Sequence, residues 1–137
     1  MDSIDDLAGG VRVLRPFLPS QDFDISLRFY EAVGFKTHRL GDTLAEMRLG
    51  AHAFLLQGYY VKDWADNAVM HVLVDDVQAW WRRLQALDLA ARFGSRPITP
   101  PRVEPWGLEV LYLIDPAGVL WHFAEPVKAD ALAATGQ

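Results

Sequence analysis

The chain has 137 residues, 51% of them apolar, with a net charge of −5 and no cysteine. That is enough apolar side chain for one compact domain, and it excludes a disordered chain, a disulfide framework, a thiolate nucleophile and a thiolate metal site. The negative balance argues against nucleic acid as a partner, and the absence of any run of about eighteen apolar residues argues against a membrane span.

Residues 1–10, MDSIDDLAGG, are acidic and lack an apolar segment. They read as a flexible tail rather than a secretory signal, and with no thiol to oxidise the chain reads as cytoplasmic. Residues 11–18, VRVLRPFL, alternate as a strand does. Asp22 or Asp24 then caps a helix with Ile25, Phe29, Ala32 and Val33 on one face, closed by Gly34. FKTHRL (35–40), LAEMRL (44–49) and AFLLQG (53–58) read as three strands joined by tight turns. Residues 59–67, YYVKDWADN, read as an aromatic-bearing loop.

The order then repeats. VMHVLV (69–74) is a strand, and Asp76 caps a helix with Val77, Trp80, Trp81, Leu84 and Leu87 at helical spacing. AARF (90–93) reads as a short strand, residues 94–105 as a proline-rich loop, and LEVLYLI (108–114) and VLWHFAE (119–125) as strands around the turn Asp115–Gly118. Residues 127–137 form a tail or a short helix. Each half thus reads strand, helix, strand, strand, strand: modules 11–58 and 68–126, joined by 59–67 in one domain. Asp22 matches Asp76, and Gly50 matches Gly118. One helix per half covers one sheet face, so the other face must be buried elsewhere or line a cavity.

SLRFYEAVGF (26–35), followed far downstream by PWGLEVLYLIDPAGVLWHFAE (105–125), resembles the vicinal-oxygen-chelate superfamily of glyoxalases, extradiol dioxygenases and bleomycin-resistance proteins. The resemblance runs from about Val11 to Glu125, and the PWG…DPAG…HF combination is most similar to the bleomycin-resistance branch. It implies an α+β fold of two βαβββ modules, with curved mixed sheets around a cleft. It also implies a homodimer, in this superfamily often with an exchanged N-terminal strand, and ligand sites at the subunit boundary.

The enzymes of that superfamily hold a divalent metal with His, Glu or Gln from the first and last strand of each module. Counted from the local motifs, those slots fall on Arg15, on Phe54 or Leu55, on Val69 and on His122. One imidazole among such residues cannot replace an ion's water shell, so no metal and no other cofactor is expected. A shift of register would bring in His52 or His71 without completing a donor set.

Strand alternation puts His122 with Leu120 and Ala124 on one face and Val119, Trp121 and Phe123 on the other, so His122 points into the cleft if the bulkier set packs under the helices. It is either a hydrogen-bonded structural histidine or a ligand-lining one; no nucleophile or partner carboxylate stands beside it for acid–base work. His71 shares a face with Val69 and Leu73, in a slot that the resemblance gives to a flat stacking residue. Trp106, fixed between Pro105 and Gly107, makes a rigid wall for a planar ligand. Tyr60 and Trp64, with Tyr59, could close the cleft from the connecting loop. Arg15 shares a strand face with Val13 and Phe17, where a charge must be solvated, paired with Glu46 or Glu109, or used on an anionic ligand. The resulting candidate ligand set is Arg15, Phe54, Tyr60, Trp64, His71, Trp106 and His122. The reading is a metal-free dimeric protein that sequesters a planar aromatic or glycopeptide-antibiotic-like small molecule, as bleomycin-resistance proteins do. The alternative is a metal-dependent enzyme of the glyoxalase or extradiol-dioxygenase type.

Overall fold

The structure is a computed structural model that describes residues 2–127. The expected C-terminal tail or helix lies almost wholly outside the described residues. Two βαβββ units follow one another. The first comprises β1 (Phe17–Pro19), α2 (Phe23–Val33), β2 (Lys36–Gly41), β3 (Leu44–Leu49) and β4 (His52–Gln57), preceded by a short α1 (Ile4–Gly9). After α3 (Lys62–Asn67), the second comprises β5 (Val69–Leu73), α4 (Val77–Ala86), α5 (Leu89–Phe93), β6 (Arg102–Val103), β7 (Leu108–Ile114) and β8 (Leu120–Pro126). The two four-stranded sheets have the same topology, β1-β4-β3-β2 and β5-β8-β7-β6. In each, the first strand pairs parallel with the last and the other pairs are antiparallel.

The duplication is carried by local chemistry. The Asp22 and Asp76 carboxylates accept from the backbone N–H of Ile25 and Ala79, at 3.1 and 3.0 Å, satisfying an orphan donor in the first turn of α2 and of α4. Gly50 and Gly118 precede the last strand of their units at φ 60° and 103°, in the left-handed region where a side chain is strained.

Four segments depart from the sequence reading. The strand expected over 11–18 is only Phe17–Pro19: the Pro16 carbonyl still accepts from the Leu55 N–H of β4 at 2.8 Å, but Pro16 has no N–H to carry the ladder further, and Val11, Val13 and Leu14 are exposed. Residues 4–9 of the expected tail form a helix turn capped by Ser3, with no buried residue. The 59–67 loop contains α3, supported by the Lys62–Asp66 ion pair one turn apart and by burial of Ala65. AARF is part of α5 rather than a strand. Leu89 is buried, and Phe93, one turn on, packs edge-on against Phe29 of α2 with ring centroids 5.8 Å apart. Four residues are too few for alternation to distinguish strand from helix. The second unit's missing strand is instead β6, inside the proline-rich segment.

One face of each sheet and the helices between them form a single core. Phe29, Tyr30 and Val33 of α2 meet Met47, Phe54 and Leu56 from the first sheet and Leu111, Leu113, Trp121 and Phe123 from the second. The two units are tied at one buried polar point. The Tyr30 hydroxyl donates to Asp115 Oδ2 and accepts from Trp121 Nε1 at 2.9 Å. Asp115 Oδ1 accepts from the N–H groups of Ala117 and Val119, at 2.9 and 2.8 Å, and so shapes the β7–β8 turn. Burial, and after it the Asp115 carboxylate, pushes the Tyr30 phenol well above its ordinary range, so it remains a donor.

Tyr30→Phe leaves Trp121 Nε1 without its acceptor and Asp115 without its hydroxyl donor. The expected outcome is a loss of about 1–3 kcal/mol in urea unfolding with an unchanged m-value. A loss below about 0.5 kcal/mol, the scatter of an ordinary surface change, would show that this bond does not hold the units together.

Candidate functional site

Each sheet has a second face that no helix among the described residues covers. On the second sheet it is defined by register: His71 of β5 lies beside His122 of β8, which lies beside Tyr112 of β7. Trp121 and Phe123 point the other way, into the core. His71 is exposed and His122 half-buried. Their ring centroids are 6.2 Å apart, and His122 meets the Tyr112 ring edge-on at 4.9 Å. Val69 and Leu73 extend the row along β5, both more than half exposed. Tyr112 donates its hydroxyl hydrogen to Glu104 at 3.1 Å, Arg102 donates to the same carboxylate oxygen, and the Arg102 guanidinium lies 5.7 Å from the centre of the Tyr112 ring.

Burial pushes the His122 imidazole below its ordinary value of 6.5. The charge on His71 acts in the same direction, and Glu104 opposes both. Glu104 is held below the usual carboxylate range, first by the Arg102 hydrogen bond. Burial and the Glu104 contact push the Tyr112 phenol up. The row is therefore a neutral imidazole and a neutral phenol at pH 7, flanked by a compensated ion pair.

On the first sheet the equivalent row is Phe17, Leu55 and Glu46, related to His71, His122 and Tyr112 by position in the duplicated ladder. Glu46 is buried and accepts from both Arg15 and Arg48, which hold its carboxyl below the usual range. The partner of Arg15 is thus Glu46; Glu109 instead accepts from Gln78 of α4 at 3.0 Å.

The expected site residues do not gather in one place. His71 and His122 share the open face of the second sheet, and Arg15 reaches over that of the first. Phe54 belongs to the core, 1% exposed among Tyr30, Phe35 and Trp121, so that Leu55 carries the open face at that slot. Tyr60 packs against the core, while Trp64 on α3 stands exposed with Tyr59 tilted against it, centroids 6.1 Å apart. Trp106 occupies the β6–β7 turn, 59% exposed, where the Gly107 N–H closes the turn onto the Glu104 carbonyl at 3.1 Å. Tyr112, Glu104, Arg102 and Arg48 were not singled out as site residues from the sequence. Period-two alternation within LEVLYLI would have placed Tyr112 on one face of its strand, but only pairing shows that the face is the histidines' own. A pocket of about 440 Å³ lies where the bare edge of β5, at Met70, His71 and Leu73, faces Leu49, His52 and Ala53 of the first sheet, with Phe54 and Trp121 also lining it.

No family model matches the sequence, and no curated protein does either. Solved structures do match. A bleomycin-binding protein complexed with bleomycin aligns with a TM-score of 0.70 and 23% identity, over 84% of this chain and 98% of its own. A bleomycin resistance determinant encoded on the transposon Tn5 aligns with a TM-score of 0.69 and 22% identity, over 85% and 98%. A lactoylglutathione lyase from Agrobacterium tumefaciens aligns with a TM-score of 0.61 and 21% identity, over 82% and 92%. The chain has the glyoxalase/bleomycin-resistance fold. Because the family resemblance leaves a metal enzyme as the alternative, the donor set matters. The four positions that the resemblance gives to metal ligands carry Arg15, Leu55, Val69 and His122, and the nearby carboxylates Glu46 and Glu104 are each committed to arginine. Among the described residues no three histidine or carboxylate side chains gather as a metal site. These residues do not fit a divalent ion, which needs several oxygen or imidazole donors at once.

Because the folded protein disfavours the charged form of His122, this group's contribution to stability is present above pH 6.5 and is lost as pH falls through its lower folded value. NMR titration is expected to give a His122 midpoint below 6.5 that rises toward 6.5 in His71→Gln, since the like charge is gone. A wild-type midpoint at or above 6.5 would contradict the burial of this ring.

Proposed function

We propose that this protein is a metal-free binding protein that sequesters a planar small molecule in a cleft between two copies of the chain, without making or breaking a bond. The observation that carries this reading is the pair of uncovered sheet faces. Each is organised, one by the His71–His122–Tyr112 row and the other by the Arg15–Glu46–Arg48 cluster, and neither is covered by an element among the described residues. A second copy that set the first sheet of one chain against the second sheet of the other would enclose both. The exposed apolar residues Val11, Val13, Leu14 and Phe17 support an N-terminal arm that reaches the second copy and completes a strand there. Flat imidazole, phenol and indole surfaces from His71, His122, Tyr112 and Trp106 would bind by stacking, and fixed hydrogen-bonding groups would orient the guest. Arg15 completes the polar side of the cleft. Tyr60 and Trp64 would act at its mouth, and Phe54 from beneath.

The likeness to bleomycin-binding and bleomycin-resistance structures makes bleomycin-type compounds the first ligands to try. The absence of cysteine and of any described helix long and apolar enough to cross a membrane is in keeping with action in the cytosol.

Isothermal titration with bleomycin is expected to give saturable binding that weakens about fivefold in Trp106→Ala, the loss of one stacking surface worth about 1 kcal/mol. No heat at any workable concentration would sink the antibiotic reading. Sedimentation velocity is expected to give a dimer at micromolar concentration, and a monomer when residues 2–14 are deleted. A dimer unaffected by that deletion would rule out the arm, and a monomeric wild-type chain would rule out the shared cleft.

A further inference from the structure

The chain is acidic as a whole, yet its two open faces are not. Arg15, Lys36, Arg48 and Arg102 lie on or over them, and the carboxylates found there are Glu46 and Glu104. Both carboxylates are buried, and each is already bonded to arginine, Glu46 to two of them. Lys36 is exposed, shares a register row with Arg48, and makes no ion pair among the described residues. Other polar groups of the faces, among them His38, Gln57, His71, His122 and the Tyr112 hydroxyl, include donors and carry no negative charge. Other acidic residues lie on helices, caps and turns or on the helix side of the second sheet: Asp24 and Glu31 on α2, Asp63 and Asp66 on α3, Asp76 capping α4, Asp115 in the buried β7–β8 turn, and Glu109 and Glu125, which accept from Gln78 and from the Val77 N–H of α4.

From this distribution we infer that the natural ligand is a planar aromatic acid, a flat ring system bearing a carboxylate or sulfonate, rather than an organic cation. The inference rests on the proposed reading of the open faces as one ligand cleft. A cationic guest would meet guanidinium and ammonium groups of like sign, and the only carboxylates near it would have to give up arginine partners to receive it. An anionic guest finds the unpaired Lys36 ammonium, the surplus arginine of the Arg15–Glu46–Arg48 cluster and N–H donors with open positions. Its ring has the flat surfaces of His71, His122 and Tyr112, with Phe17 and Leu55 supplying apolar contact in the equivalent row of the other sheet. The acidic remainder of the surface keeps the chain soluble and disfavours adsorption of such an anion elsewhere.

The test is a matched pair of probes of one shape and opposite charge, 1-naphthoate and 1-naphthylmethylammonium, titrated calorimetrically into the full-length protein beside bleomycin. The expected result is 1-naphthoate bound at least tenfold more tightly than 1-naphthylmethylammonium. The preference should widen at low ionic strength and shrink in Lys36→Glu and in Arg15→Gln. Lys36 is exposed, so its substitution keeps the test valid if Arg15→Gln fails to fold. Equal or tighter binding of the ammonium probe, or a preference unchanged in Lys36→Glu, would overturn the inference. Binding of bleomycin without 1-naphthoate would overturn it while leaving the sequestration reading intact. Binding of none of the three would remove both.

Discussion

A four-stranded sheet has two faces, and each half of this chain supplies one principal helix to cover them. The two inner faces solve the problem together: α2 and α4 lie with them in a common core whose aromatic centre is Tyr30, Phe35, Phe54 and Trp121. Among the described residues no element covers the outer faces. The proposed function rests on that, because a sheet face that stays open is also a surface on which side chains can be arrayed for a guest or for a second copy.

The core makes such an array dependable. Tyr30 belongs to the first unit, Asp115 and Trp121 to the second, and their hydrogen bonds cross the boundary in a place without water to compete. Asp115 also holds the β7–β8 turn, and β8 carries His122 on its opposite face. The position of the histidine row thus follows from the inner packing of Trp121 and Phe123 on the same strand. A stacking site gains from this rigidity, since little freedom remains to be lost when a ligand binds.

Duplication also explains why the two open faces differ. The same ladder positions hold Phe17, Leu55 and Glu46 on one sheet and His71, His122 and Tyr112 on the other. The backbone frame is common to both, and the chemistry has diverged where nothing in the core constrains it. The fold admits metal enzymes and binding proteins alike, and within it the side chains at these positions, not the architecture, separate the two.

Much of this was readable along the chain. Period-two alternation placed His122 opposite Trp121 and Phe123, the capping aspartates and turn glycines marked both halves, and the family motifs identified the fold. What failed had common causes. A four-residue run cannot declare helix or strand, so α5 was missed; Pro16 has no N–H to extend the ladder along β4, so β1 begins only at Phe17; and α3 depended on one ion pair and one buried alanine. The choice of Glu46 over Glu109 for Arg15, the turning of Phe54 into the core, and the meeting of Tyr112 and Glu104 with the histidines were settled only in three dimensions. The sequence by itself determined the periodicities, caps and turns, because these depend on neighbours a few residues away. Only the tertiary structure decided which faces stayed open and which charges met across strands, because pairing register and helix packing join residues that are distant along the chain.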